Sequence, residues 1–284
     1  MYQHPKEVNM AMMDEQPQCP LFLLFLEKTV KTDAEIDILQ EFFGYCLWKP
    51  SKFKNFLVLS GPRGMPGAVV VWLLEEMAEA ENCARVSPED LADPGGRAGL
   101  EGRRINISHA DDPFVLVSPP VIAAVDGEAV SVKAEDGNTR IFKPDCRFIF
   151  TTGDLPLDLR RNEAFKRRAQ VVRFHALLRG LAERFPAEKL AEELPAIREW
   201  AELGLKRLRI HHGFTRSLPR MPDCARYADC LDKAAFNDTE FDCSLCTDYR
   251  GMELNYEYYP LRDDPTYYLS YGSETIPRAE KAVR

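Results

Sequence analysis

The sequence has no hydrophobic run of membrane-spanning length, no excess of positive charge, few histidines and no internal repeat. Its most apolar run, Leu21–Leu26 (LFLLFL), falls far short of the roughly 20 residues that a spanning helix requires. Nor does that run read as a signal peptide: Asp14 and Glu15 precede it, Glu27 follows it, and neither a basic leader nor a small-residue cleavage site is in place. These features predict a cytoplasmic protein with no membrane partner. A net charge of −8, from 37 Lys+Arg against 45 Asp+Glu, excludes a surface that is basic all round and built for polyanions. Four of the eight cysteines (Cys19, Cys46, Cys83, Cys146) are scattered, which argues against a disulfide framework in a chain of 284 residues.

What remains is an ordinary globular composition, 45% hydrophobic and 29% charged. The length suits one large domain, or a core with a smaller appendage. Residues 1–19 are polar and Met-rich, without a period, and read as a flexible arm. Residues 20–50 read as a helical hairpin: PLFLLFLEKT, then a cap at Thr32-Asp33, then Ala34–Leu47 with Ile36, Leu39, Phe42 and Phe43 at helical spacing. Phe56–Ser60 (FLVLS) is a short apolar strand that runs into Gly61-Pro62-Arg63-Gly64-Met65-Pro66-Gly67, after which Ala68–Glu81 reads as a helix. Strand, Gly-rich loop and helix in that order form the layout of a phosphate-binding loop. Arg104–Ser108, Arg147–Thr152 and Gln170–Phe174 read as further strands, Pro119–Ala124 as a helix, and Val130–Lys143 as a hairpin turning at Asp136-Gly137-Asn138. Strands separated by helices predict an α/β sheet with a large parallel component. Ala176–Arg209 reads as helical.

Charge is distributed unevenly. Residues 157–216 carry 14 basic and 8 acidic side chains, whereas residues 222–284 carry 7 basic and 13 acidic ones. The basic belt suits a polyanion or an acidic subunit interface, and on helices some of it is solvated face. The acidic tail contains Cys224-x5-Cys230-x12-Cys243-x2-Cys246, and four thiolates at those positions suit a tetrahedral structural zinc; free thiols in a small helical appendage are the alternative.

Six stretches occur in an order characteristic of one family: LQEFFGYCL (Leu39–Leu47), FLVLSGPRG (Phe56–Gly64), LEGRRINIS (Leu100–Ser108), VIAAVDGEAVSVKAEDGNTRIFKPDCRFIFTTGDLP (Val121–Pro156), FKRRAQVVRF (Phe165–Phe174) and ELPAIREWAELGLKRL (Glu193–Leu208). Through them the chain resembles the ATPase domain of superfamily 3 helicases, in the branch found in poxvirus, phage and plasmid primase-helicases. The resemblance covers roughly residues 20–216. It implies an AAA+-like P-loop core at 51–175, a helical lid region at 176–216 and, outside the family pattern, a Cys/Tyr-rich tail at 217–284. It also implies DNA replication as the setting, a hexameric ring or other replication proteins as partners, and single-stranded or forked DNA as the track.

The nucleotide chemistry of that family is altered at each element. A phosphate loop needs a Lys for the β/γ-phosphates and a Ser or Thr for Mg²⁺. Gly61, Pro62 and Gly64 match the family, but Pro66 stands at the next Gly, Gly67 at the Lys and Ala68 at the hydroxyl. His109-Ala110 occupy the place of the Mg²⁺-associated acid, and Asp111 and Asp112 follow late as the remaining candidates for Mg²⁺. Gly153 stands at the polar sensor. The paired arginines Arg167 and Arg168 match, one of them a relict arginine finger by resemblance. The implied hairpin for DNA is Val130–Lys143, with Lys133, Arg140 and Lys143 as contacts. These replacements argue against bound ATP and Mg²⁺ and for a pseudoenzyme, a non-hydrolysing DNA-binding or assembly module of a phage- or plasmid-type element. Two other readings stay open: an active helicase ATPase with Arg63 in place of the lysine, and an interaction protein with no DNA role.

Overall fold

A computed structural model of the protein describes residues 17–48, 53–62, 65–133, 138–174, 180–215 and 226–237. The chain divides into two compact units, Met1–Pro219 and Arg220–Arg284. In the second unit the described element is a helix at Tyr227–Phe236.

The first unit begins with two helices, α1 (Pro20–Thr29) and α2 (Asp33–Leu47). Pro20 suits the first position of α1, where no amide donor is needed. The amides of Leu21 and Phe22 donate instead to the carboxylate of Glu193 at 3.0 and 2.8 Å, so a distant acid caps the helix. Thr32 caps α2, accepting from the Glu35 amide at 3.3 Å. Phe22, Phe25 and Leu26 are buried beside Ile38, Leu39, Phe42 and Phe43.

The sheet follows. β1 (Phe56–Ser60) is buried along its whole length and leads into α3 (Met65–Ala78). A two-residue strand, β2 (Cys83–Ala84), precedes β3 (Ile105–His109) and α4 (Pro119–Val125). The hairpin strands are β4 (Val130–Lys133) and β5 (Thr139–Phe142); β6 (Arg147–Thr152) then returns to the main sheet. Two short helices, α5 (Leu157–Arg161) and α6 (Glu163–Arg168), lead to β7 (Ala169–Arg173). The main sheet has the order β2-β3-β6-β1-β7, and all four pairings are parallel.

A parallel sheet is covered on both faces, and the sidedness of the strands shows it. Leu57, Leu59, Ile105, Ile107, Ile149 and Val172 pack with α1, α2 and α3 on one side. Phe56, Val58, Phe148 and Phe150 pack with α4, α5 and α6 on the other. The result is a three-layer α/β sandwich.

The strand at Phe56–Ser60, the helix from Pro119, the hairpin strands and β6 stand where the sequence pattern predicts them. Two expectations need correction. α3 begins at Met65, three residues before the predicted start, because a proline such as Pro66 fits the first turn of a helix, where its missing amide costs nothing. The predicted helical stretch Ala176–Arg209 is, within the described residues, three helices: α7 (Leu181–Arg184), α8 (Ala187–Glu192) and α9 (Leu194–His211). Pro186 and Pro195 start new helices, and Gly180 sits at φ 71° before the first of them. Residues 1–16 of the predicted arm, the turn residues Asp136 and Gly137, and the tail tyrosines from Tyr249 onward lie outside the described residues.

Candidate functional site

In open parallel sheets, ligands sit beyond the carboxyl ends of the strands, where neighbouring strands send their connections to opposite faces. β1 and β6 are such neighbours: α3 follows β1 on one face, while α5 and α6 follow β6 on the other. A cleft of about 420 Å³ opens there. The loop after β1 contributes Gly61 and Pro62, and the first turns of α3 contribute Gly67, Ala68 and Val71. Ser108 and His109 come from β3, Thr151 and Thr152 from β6, Phe174 from the end of β7, and Arg85 from the segment after β2.

Hydrogen bonds between strand ends fix this rim. Ser60 Oγ donates to Gly153 O at 2.7 Å, and the Gly61 amide donates to Thr152 O at 3.2 Å. The Phe174 amide donates to Ser60 O at 2.8 Å, and Phe174 also bridges Val30 between α1 and α2. The loop after β1 is thereby braced from below: a Cβ added at Gly61 would lie 3.1 Å from Phe174 Cβ, and one at Gly67 would lie 3.9 Å from its ring. The second distance is ordinary contact, so packing does not demand glycine at position 67. Gly153 has open space in its Cβ direction, so packing does not demand glycine there either.

Of the sequence-predicted loop residues, Gly61, Pro62, Gly67 and Ala68 come together on the cleft wall. Arg63 and Gly64 lie outside the described residues. At the end of β3, Ala110 is fully buried while His109 lines the cleft. His109 Nδ1 lies 2.9 Å from Thr151 Oγ1, its register partner on β6, and Nε2 lies 3.5 Å from Asp111. Asp111 and Asp112 do different jobs. Asp112 Oδ1 accepts from the Phe114 amide at 3.0 Å and starts a 3₁₀ turn, whereas Asp111 sits beside the histidine. Among the described residues, no group of three or more His, Cys, Asp or Glu side chains is placed to hold a metal ion. Cys230 is a free thiol on the Tyr227–Phe236 helix; its predicted zinc companions Cys224, Cys243 and Cys246 lie outside the described residues.

The two arginines separate. Arg168 grips Asp126 with two bonds, Nε at 2.9 Å and Nη2 at 2.7 Å, and this pairing holds the Asp126 carboxyl below the usual carboxylate range. Arg167 is exposed, with Nε donating to Glu163 O at 3.3 Å, so of the pair it is the one turned to solvent. The hairpin cations separate as well. In the observed register Val132 pairs with Arg140 and Lys133 with Thr139. Since cross-strand partners share a face, Arg140 lies on the face of Val130 and Val132 and reaches Glu101 at 3.3 Å. Lys133, Thr139 and Ile141 share the opposite, outer face, where Ile141 is 74% exposed, and Lys143 follows in the same phase.

Sequence reasoning missed Arg85, Thr151 and Phe174. Each comes from a separate segment, and only the strand register brings them to one rim.

No helix among the described residues is long and apolar enough to cross a membrane. No protein-family model and no curated protein matches the sequence. Among solved structures, an apo form of the NrS-1 C-terminal region superposes with a TM-score of 0.50 at 17% identity, covering 67% of this chain and 46% of that one. Another apo structure of the NrS-1 C-terminal region covers 79% of this chain and 59% of that one, with a TM-score of 0.47 at 14% identity. JCV helicase covers 83% and 76% with a TM-score of 0.31 at 13% identity, a superposition too loose to add to the fold assignment. The chain thus spans about half the length of the first of these neighbours. What it shares with the NrS-1 C-terminal region is the fold.

Proposed function

We propose that this protein is a degenerate helicase-type module of DNA replication, one that hydrolyses no ATP and acts through DNA binding or assembly. The observation that carries the reading is the place of Gly67 and Ala68. They stand in the first turn of α3, on the wall of the cleft at the β1/β6 switch point, where the family resemblance puts the phosphate lysine and the Mg²⁺ hydroxyl. The cleft and the strand order persist while the groups that would grip phosphate and metal are replaced. The expected result with Mg-ATP and single-stranded DNA is no phosphate release above background. Robust turnover that is lost in Arg63→Ala would favour the alternative of a deviant active loop. Because neither position is sterically closed, Gly67→Lys with Ala68→Thr is expected to tighten ATP binding at least tenfold, read by fluorescent-nucleotide titration. An unchanged affinity would mean that the cleft is no relict phosphate site.

The outer face of the hairpin supports a DNA role, since Lys133 and Lys143 flank an exposed Ile141. Lysines pair with phosphates and make binding salt-dependent, and an apolar side chain is available to unstacked bases. Lys133→Ala with Lys143→Ala is expected to lower affinity for single-stranded DNA and to flatten its dependence on salt by about 1.4 in slope, at roughly 0.7 per phosphate contact. Arg140→Ala, on the other face, is expected to leave the slope unchanged. No salt-dependent binding at all would favour an interaction protein without DNA. Self-assembly would use the exposed Arg167 side of α6, since Arg168 is committed to Asp126.

A further inference from the structure

The hairpin β4–β5 forms a sheet of its own, and a lone two-stranded ribbon is marginally stable at best in water. Here one edge of the ribbon is supported. Backbone groups two residues apart on a strand point to the same edge, so Ser131 and Lys133 face one way and Val130 and Val132 the other. The Lys133 amide donates to Pro94 O at 3.0 Å, and Arg97 Nη1 donates to Ser131 O at 3.4 Å. Both bonds run to the connection between β2 and β3, which makes 3₁₀ turns at Asp90–Ala92 and Gly96–Leu100.

That connection is itself braced. The Gly96 amide donates to the Asp93 carboxylate at 2.9 Å and the Arg97 amide to Asp93 O at 3.1 Å. A Cβ at Gly96 would lie only 2.5 Å from the Asp90 carbonyl oxygen. Arg97 is anchored in this segment through Nη2, which donates to Ala92 O at the shorter distance of 2.8 Å, and from there it reaches across to β4. A guanidinium presents its donors in a fixed fork, so two carbonyls held by one side chain are also held relative to each other. The second strand is tied to the same segment less firmly, through the half-exposed pair of Arg140 and Glu101.

We infer that Arg97 is the positioning residue of the hairpin: by joining Ser131 to Ala92 it fixes the direction in which the outer face presents Lys133 and Lys143. The consequence for binding rests on the DNA role proposed for the hairpin; the orientation itself does not.

The test uses the full chain, with hydrogen exchange at the Lys133 amide and titration of single-stranded oligo-dT over a salt series. In Arg97→Met, exchange at Lys133 is expected to quicken roughly tenfold, since two carbonyls lose a charged donor and the edge opens locally. Oligo-dT affinity is expected to fall about fivefold while the salt slope stays at the wild-type value, because Lys133 and Lys143 are still present. Arg97→Lys, which keeps the charge but not the fork, is expected to fall between wild type and Arg97→Met in both readouts. It carries the same test should Arg97→Met fail to fold. A salt slope reduced by about 0.7 in Arg97→Met would make Arg97 a phosphate contact and overturn the positioning role. Exchange at the wild-type rate would overturn it too, by showing that the hairpin is held without this side chain. Wild-type protein that binds no oligo-dT would sink the DNA reading alone, and the exchange rate at Lys133 would still decide what Arg97 does.

Discussion

Gly204→Val is expected to abolish the cooperative thermal transition of this protein, followed by circular dichroism, while Gly213→Ala, which meets open space, leaves it unchanged. α2 and α9 cross at Gly44 and Gly204. A Cβ at Gly204 would fall inside the Gln40 carbonyl and against the Glu41 amide; one at Gly44 would fall inside the Ala201 carbonyl and against Leu205. Overpacking against movable side chains costs about 1–3 kcal/mol. Here the obstruction is backbone, which has no rotamer to change, and separating the helices would also break what the crossing supports. Gln40 Nε2 donates to Trp200 O at 2.9 Å, and Arg207 Nε donates to the buried Glu41 carboxylate at 2.7 Å. A branched side chain at the crossing therefore sets a loss above about 4 kcal/mol against a typical domain stability of about 5–15 kcal/mol. Gly44→Ala is expected to lower the midpoint in the same direction. A Gly204→Val protein that melts like the wild type would show that the helices do not cross this closely.

The parts of this fold that were legible in the sequence are those whose signal is local. Phe56–Ser60 stood out because a central parallel strand is buried on both faces and so reads as unbroken apolar text, stopped here by Gly61-Pro62. The hairpin was legible from its turn residues, and α2 from Thr32 and a 3.6-residue period. β2 was not, because two residues at a sheet edge carry no period, and neither were α5 and α6, at five and six residues. The crossing of α2 and α9 was hidden for another reason. A glycine in a helix reads as a weak point, and its partner lies 160 residues away on another helix.

The cleft was legible in part, through family order rather than through residue chemistry. Gly61, Pro62, Gly67 and Ala68 were placed on it by the strand–loop–helix layout, and they do line it. His109 entered the reading only as the wrong residue at an acid's position. Its pairing with Thr151 depends on the register of β3 against β6, which no sequence window contains. Arg167 and Arg168 looked equivalent because adjacent letters say nothing of which side chain finds Asp126, 42 residues earlier. The same holds for Lys133 and Arg140: alternation predicts two faces but does not say which of them turns outward.

The second large effect concerns the support beneath Phe174. Arg173→Met is expected to cost about 3–5 kcal/mol at neutral pH, the usual penalty for stranding one partner of a buried pair. Arg173 Nε lies 2.5 Å from Glu35 Oε1, and the Glu35 side chain is 1% exposed. Its Oε2 is buried with no hydrogen-bond partner among the described residues, and burial pushes the carboxyl above its ordinary pKa while Arg173 pulls it back down. In the variant the downward pull is gone, so the folded state binds the Glu35 proton more tightly than the unfolded chain does. Such a group stabilises the fold fully below its unfolded pKa, about 4.3, and that stability is lost as pH rises through the raised folded value. The deficit of Arg173→Met relative to wild type, measured by urea unfolding across a pH series, is therefore expected to be largest at neutral pH and to shrink toward acid. Adding Glu35→Gln, which carries no charge to strand, is expected to recover much of the loss at neutral pH. A deficit that stays flat with pH, or a double variant no better than the single one, would mean that Glu35 is not the stranded charge. Because the Arg173 carbonyl also accepts from the Lys31 amide at 3.1 Å and Phe174 follows directly, the same variant ties the helices to the cleft.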